Sequence, residues 1–316
     1  MLLAVAVTLN SCSDSAPASR EVNVVPLYDE ISRFNDLDSA SRQAFMNADS
    51  AELSAFMSVV SGEPVTQETV GSWAASQAVA VFTPMVDSVF RPGATGKYIG
   101  EILGRADAAG LEMPERRYAE VVYGRPESIL FVDSVMLIAM NHYLGSDCDA
   151  YSHLPQYMRF AKSPRMLPFD IAEAMAATSY PYRHTANSTV LSRLLYEGAL
   201  ANVKIELTGD DDVAQALGYT DEQYRWLVQN EKTLWRELTA KGMLFDTSDS
   251  MASKLVDPAP SVGDLEGAPG RAGRFIGFRM VKAYIAGNKD KSRLAFLMSP
   301  DFYDDSSVLS AISYNP

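Results

Sequence analysis

Apolar positions in the first third of the chain recur three and four residues apart: Leu27, Ile31 and Phe34, then Leu53, Phe56, Met57 and Val60. That spacing gathers them on one face of a helix. Breaks at Pro64, Pro84, Pro92 and Gly93 then predict a succession of helices and short loops from Val25 to about Gly110. Beyond this the period shortens. Tyr118-Ala-Glu-Val-Val-Tyr123 and Ile129-Leu-Phe-Val132 are rich in β-branched and aromatic residues, with Gly124-Arg-Pro126 between them, and Val135-Met-Leu-Ile138 continues the run. Gaps of hairpin length leave no room for crossover helices, so a small antiparallel sheet is expected.

Helical spacing returns after Leu144. Pro168 belongs in the first turn of a helix running through Ala172. A second helix is expected from Thr185 to Ile205, with Asn187 or Ser188 as N-cap. Thr220-Asp-Glu-Gln223 resembles a capping box opening a helix that runs to about Lys241 and ends at Gly242. Residues 250–267, with Pro258 and Pro260, read as a loop, Gly270 to Ala286 as the next helix and Asp301 to Ala311 as the last. The fold class is therefore α+β and mostly helical. With 47% hydrophobic residues in 316, the chain has ample material for a substantial core. We expect one globular domain over residues 25–316, helical over 25–115 and holding the sheet and later helices over 116–316.

Charge and the N-terminus narrow the setting. A formal net charge of −13 excludes nucleic acid as a natural partner, since phosphate neutralisation needs clustered Lys and Arg. Leu2 to Leu9 is an apolar run too short to span a bilayer, and Leu9-Asn-Ser-Cys12 after it has the form of a bacterial lipoprotein signal. On this reading residues 1–11 are a signal peptide, Cys12 is acylated and residues 12–24 form a flexible tether. The competing reading is an ordinary frayed terminus, because no Lys or Arg precedes the run. The other cysteine, Cys148, lies in the polar stretch Gly145-Ser-Asp-Cys-Asp149 without a neighbouring base and reads as unreactive.

Candidate chemistry centres on the later helices. On a wheel of about 100° per residue, Val190, Leu194, Glu197, Ala201 and Ile205 share one arc, which turns the Glu197 carboxylate toward the core. A buried carboxylate needs a hydrogen-bonding or cationic partner. Gly270, Gly273 and Gly277 recur on one helical face and invite close approach of a second helix, since glycine costs about 1 kcal/mol against alanine in a helix. Arg271 and Arg274 beside them are candidates to pair with Glu197 or Glu173; solvated arginines are the alternative. His142, His153 and His184 have no spacing that puts a pair on one helical face, which argues against a zinc site built from them. Asp210-Asp211-Asp212 lacks the alternating ligands of a calcium loop and reads as a solvated helix entry.

Landmarks in order from about Val121 onward resemble a known family. They are Ser128-Ile-Leu-Phe-Val-Asp-Ser-Val-Met-Leu-Ile-Ala-Met-Asn-His-Tyr-Leu-Gly145, His153-Leu-Pro-Gln-Tyr157 and Leu191-Ser-Arg-Leu-Leu-Tyr-Glu-Gly-Ala199. Gly218-Tyr-Thr-Asp-Glu-Gln-Tyr224, Asn230-Glu-Lys-Thr-Leu-Trp235, Gly270-Arg-Ala-Gly-Arg-Phe-Ile-Gly277 and Ser313-Tyr-Asn-Pro316 follow. Together these resemble GldB, the gliding-motility-associated lipoprotein of Bacteroidetes, and more distantly a family of predicted zinc-dependent, zincin-like peptidases.

The resemblance implies a zincin-like core over residues 116–316, with Ala172 and Ala176 where the two zinc-binding histidines would stand. Glu173 then occupies the position of the general base and Glu197 that of a third ligand. Zinc needs about three protein ligands with one position left for water. The implied protein is a pseudoenzyme with no metal, cofactor or catalytic residue. It would be an accessory lipoprotein held to the membrane of the bacterial cell envelope, working with other envelope proteins of a motility or secretion complex. Two rivals stand beside it: an active zinc peptidase with non-standard ligands, and an envelope lipoprotein that binds a ligand in a groove near the degenerate site.

The acylation reading has a direct test. Cys12→Ala should move the protein from the membrane fraction to the soluble fraction; a variant that still sediments with membranes as the parent does would rule the lipid anchor out.

Overall fold

A computed structural model describes residues 19–288, 293–312 and 314–316. The signal peptide and Cys12 readings lie outside the described residues. Strand β1 (Val24–Val25) comes first, followed by helices α1 (Leu27–Ser32), α2 (Ser39–Ala48), α3 (Ser50–Val60), α4 (Gln67–Ala74), α5 (Gln77–Val89) and α6 (Ala94–Ala108). Strands β2 (Arg117–Val121), β3 (Ile129–Val132) and β4 (Val135–Ala139) complete the sheet. Beyond them run α7 (Gln156–Arg159), α8 (Leu167–Ser179), α9 (Val190–Thr208), α10 (Val213–Leu217), α11 (Asp221–Ala240) and α12 (Asp249–Val256). The described helices end with α13 (Ala272–Gly287), α14 (Leu294–Leu297), α15 (Pro300–Tyr303) and α16 (Ser306–Ile312).

The α+β, mostly helical class holds, but the sheet is mixed rather than antiparallel. Its order is β1-β2-β4-β3, with β1 parallel to β2, β2 parallel to β4 and only β3 antiparallel to β4. The short gaps misled because the segment after β2 skips one strand position. A tight turn at Asp133, which takes a φ of 51°, then returns β4 into the gap. Burial follows the position: Val135 to Ala139 is buried throughout, as an interior strand should be, whereas β3 at the edge is only partly covered.

Helix boundaries differ from expectation where a side chain is committed elsewhere. The N-cap of α9 is Thr189, not Asn187 or Ser188. Thr189 and Ser192 exchange backbone-to-hydroxyl hydrogen bonds in a capping box, while the Ser188 hydroxyl donates to Asp304 Oδ2 at 3.0 Å and is no longer free to cap. The Thr220–Gln223 box opens α11 as anticipated, and Gly242 follows its end with a φ of 65°. Residues 250–256, expected as loop, belong to α12. Its Leu255 and Val256 are buried, and Pro258 and Pro260 follow the helix instead of breaking it. The last expected helix is two, α15 and α16, separated around Asp304.

Residues 20–24 were expected within the tether but lie on the folded body. The Arg20 amide donates to the Gly100 carbonyl at 3.1 Å, the Arg20 side chain pairs with Asp107, and β1 joins the sheet. Gly100 permits this, since any Cβ there would overlap the Arg20 carbonyl oxygen.

Buried side chains from Val25 to Ile312 form one contiguous apolar cluster with α9 near its centre. Residues on nearly every face of α9 are buried, the pattern of a helix enclosed by protein. Its tightest neighbour is α13. A Cβ on Gly277 would fall inside the Leu194 carbonyl, and one on Gly198 would overlap the Gly277 carbonyl carbon. Gly273 meets Leu194 and Leu255 in the same way, so two of the three predicted glycines make the crossing, while Gly270 lies outside the helix against the Ala259 backbone.

The crossing predicts a sharp contrast within one helix. Gly277→Ala should destabilise by at least ~2 kcal/mol in denaturant unfolding, because backbone must move to admit the methyl group. Gly287→Ala, where nothing lies within 4 Å of the added Cβ, should be neutral or stabilising. Equal midpoints for the two variants would show that the helices are not in backbone contact.

Candidate functional site

Helices α8, α9 and α13 each contribute charge to one seam beneath a surface cleft. From α8, Glu173 accepts from Arg274 Nη2 at 2.6 Å through one oxygen and from Lys204 Nζ through the other. Arg274 reaches further: its Nε faces Glu197 Oε2 at 3.0 Å. The second Glu197 oxygen is paired with Arg193 Nη2 at 2.8 Å, one turn earlier on α9, and the Arg193 guanidinium also lies over the Tyr182 ring. Glu197 and Arg274 are each 6% exposed and Lys204 2%, while the Glu173 side chain between them keeps 27% exposure at the cleft.

Burial alone would push the Glu173 carboxyl up, but Arg274 and Lys204 together outweigh it and hold the group far below the usual carboxylate range. Lys204 is lowered by burial, against the pull of Glu173. Three residues before Glu173, Asp170 accepts from the buried Tyr143 hydroxyl at 3.0 Å and is pushed up to about 6 by burial, with Lys204 opposing. Glu173 is therefore a fixed anion at neutral pH and a poor proton acceptor, whereas Asp170 sits close to neutrality.

The cleft above the seam has a volume of about 900 Å³. Asp170, Glu173, Lys204 and Arg274 form its charged floor, joined by Tyr219 and Arg271. Arg271 sits at the entry to α13 with a φ of 63°, and its guanidinium lies against Gly218, where any side chain would overlap it. Both Tyr219 Oη and Arg271 Nε are buried without a hydrogen-bond partner.

Of the residues singled out in the sequence, Glu173 and Glu197 are brought together through Arg274, one of the two arginines expected as partners. Ala172 and Ala176 are fully buried in the apolar core. His142 hydrogen-bonds Ser128 through Nδ1 at 3.0 Å and is pushed down to about 4 by burial and the nearby Lys162, while His153 and His184 are exposed. Among the described residues no three His, Cys, Asp or Glu side chains gather as metal donors. Asp212 caps α10 by accepting from the Gln215 amide at 3.0 Å, the solvated helix entry anticipated for the triple aspartate. Cys148 is a half-buried free thiol.

Lys204, Asp170 and Tyr219 were not singled out. Lys204 was within reach: seven residues after Glu197, it falls only about 20° from it on the wheel, on the same apolar arc. Asp170 and Tyr219 gave no periodic signal, since their places depend on how α8 and the segment before α11 meet the seam.

A mostly helical α+β body with an ion-paired seam under a cation-lined cleft is the class that fold and site define. Residues 114–316 match the family model of the gliding motility protein GldB, and the chain belongs to that family. The match begins just before β2 and contains every residue of the seam. No curated protein and no solved structure matches the chain. Among the described residues no helix is long and apolar enough to cross a membrane.

The seam predicts an order of stabilities. Glu173→Ala strands the buried Lys204 and removes one partner of Arg274, so it should cost roughly 3–5 kcal/mol. Glu197→Ala should cost less, about 2 kcal/mol, because Arg274 keeps Glu173 and Arg193 keeps its aromatic contact. Urea unfolding at neutral pH reads both, and shifts below about 0.5 kcal/mol in both variants would remove the seam's structural role.

Proposed function

We propose that this chain is a non-catalytic accessory lipoprotein of a gliding or linked secretion apparatus, anchored in the cell envelope through Cys12. Its body descends from a zincin-like scaffold whose metal site has given way to an ion pair. Membership of the gliding-motility family supports the setting.

The observation that carries the loss of chemistry is the position of Arg274. Its guanidinium lies between Glu173 and Glu197, the two carboxylates that the resemblance assigns to the base and third-ligand positions. A cation there pairs with both carboxylates and occupies the space in which a metal would draw on them. The donor set does not fit zinc. Ala172 and Ala176 have no donor atoms, Glu173 has both oxygens engaged by cations, and about three protein ligands are required. Nor does Glu173 suit the work of a base, since its carboxyl is held far below neutrality.

Metal analysis of the purified protein tests the reading. The expected result is a zinc content well below one per chain after dialysis against a weak chelator, with no cleavage of peptide substrates. About one zinc per chain, retained through dialysis and lost on Glu197→Gln, would establish the active-peptidase alternative instead.

A further inference from the structure

The cleft has features that an ion-paired relic does not require. Lys162, Lys204, Arg271 and Arg274 line it against Asp170, Glu173 and Glu222, four cations facing three acids. Lys204 and Arg274 are engaged by Glu173, but among the described residues neither Arg271 nor Lys162 has a carboxylate within ion-pair distance. Tyr219 is 2% exposed, lines the cleft and leaves its hydroxyl without a partner, an arrangement that costs about 1–3 kcal/mol when nothing meets it. Arg271 is held by a left-handed backbone that a non-glycine residue adopts only at a cost, and Gly218 makes room for its head group. An acceptor bound in the cleft would supply the partner that these side chains lack.

We infer that the cleft is a binding site for a carboxylate carried on an apolar body, with Arg271 as the principal donor and Tyr219 as the second. The excess of one cation over the acids matches a monoanion better than a phosphate dianion. A guanidinium presents two parallel N–H groups that fit a carboxylate. The apolar half follows from the opposite wall. Tyr157 and Met158 stand 36% and 39% exposed, and Pro126 and Ile129 line the cleft with them. A volume of about 900 Å³ is in the range of sites that take a small organic ligand or the end of a peptide. The inference does not depend on the gliding reading, and it holds whether or not the ancestral scaffold was a peptidase.

Calorimetric titration of the full chain in detergent tests it with three probes: N-acetylphenylalanine, its primary amide and phenyl phosphate. The free acid should bind, and the amide should bind at least about tenfold more weakly, the equivalent of one charge-assisted hydrogen bond. Arg271→Gln should weaken the acid by about tenfold and leave the amide unchanged. Tyr219→Phe removes only the unpartnered hydroxyl, so its fold should be retained while affinity for the acid falls several-fold. It decides the matter if Arg271→Gln fails to fold. Equal binding of acid and amide, no heat with any probe at millimolar concentration, or full affinity in both variants would overturn the site. Tighter binding of phenyl phosphate than of the acid would overturn the assignment to a monoanion.

Discussion

Backbone contact between α9 and α13 at Gly198 and Gly277 is the constraint on which the site depends. Helices carrying ordinary side chains at their contact pack with axes about 8–10 Å apart. Here neither glycine has room for a Cβ, so the two backbones touch. Glu197 is the neighbour of Gly198 in sequence, and Arg274 lies one turn before Gly277 on the other helix. Close approach at the glycines therefore sets the reach between Arg274 and Glu197, and two turns of α9 carry the seam on to Lys204. Glu173 joins from α8 between the two cations, where the small Ala172 and Ala176 let that helix bury its face in the core.

The ion pairs formed this way do more to define the packing than to lower its free energy. Taking charges out of water costs several kcal/mol per ion, and a well-packed apolar replacement of a buried pair is often as stable. What the seam imposes is mutual dependence. Removing Glu173 strands a lysine, and removing Arg274 leaves Glu173 to Lys204 alone and Glu197 to Arg193 alone, so the three helices share their partners across the seam. The same dependence holds Glu173 ionised and confines the group closest to neutrality to Asp170, whose partner is the buried Tyr143 hydroxyl.

Much of this was legible in the chain, and the failures have physical causes. Helical spacing located α8, α9, α11 and α13 because each buries a stripe or a whole surface, and the inward turn of Glu197 followed from its arc. The glycine pattern announced a close crossing, yet Gly198, the partner glycine, stood unmarked beside Glu197 because one glycine in a helix carries no period. Strand order was misread for a different reason. Hairpin-length gaps limit which strands can be adjacent through a turn, but they do not forbid a skipped position that a later hairpin fills. Tyr219 and Arg271 meet across some fifty residues of sequence, and no local pattern reports such a meeting.

The cleft also differs in sign from the rest of the molecule. A net charge of −13 surrounds a pocket in which cations outnumber acids. In physiological salt the outer field is screened within about 8 Å, so it has little hold on a ligand already at the mouth. Inside, beside low-dielectric protein, the Arg271 charge is screened less and dominates over the final few ångströms. An acidic ligand is therefore selected at short range, by a fit that brings its carboxylate to Arg271 and its apolar part against Tyr157 and Met158, and not by long-range attraction to the protein. Highly charged anions gain little under these conditions, because the cleft offers a single surplus cation.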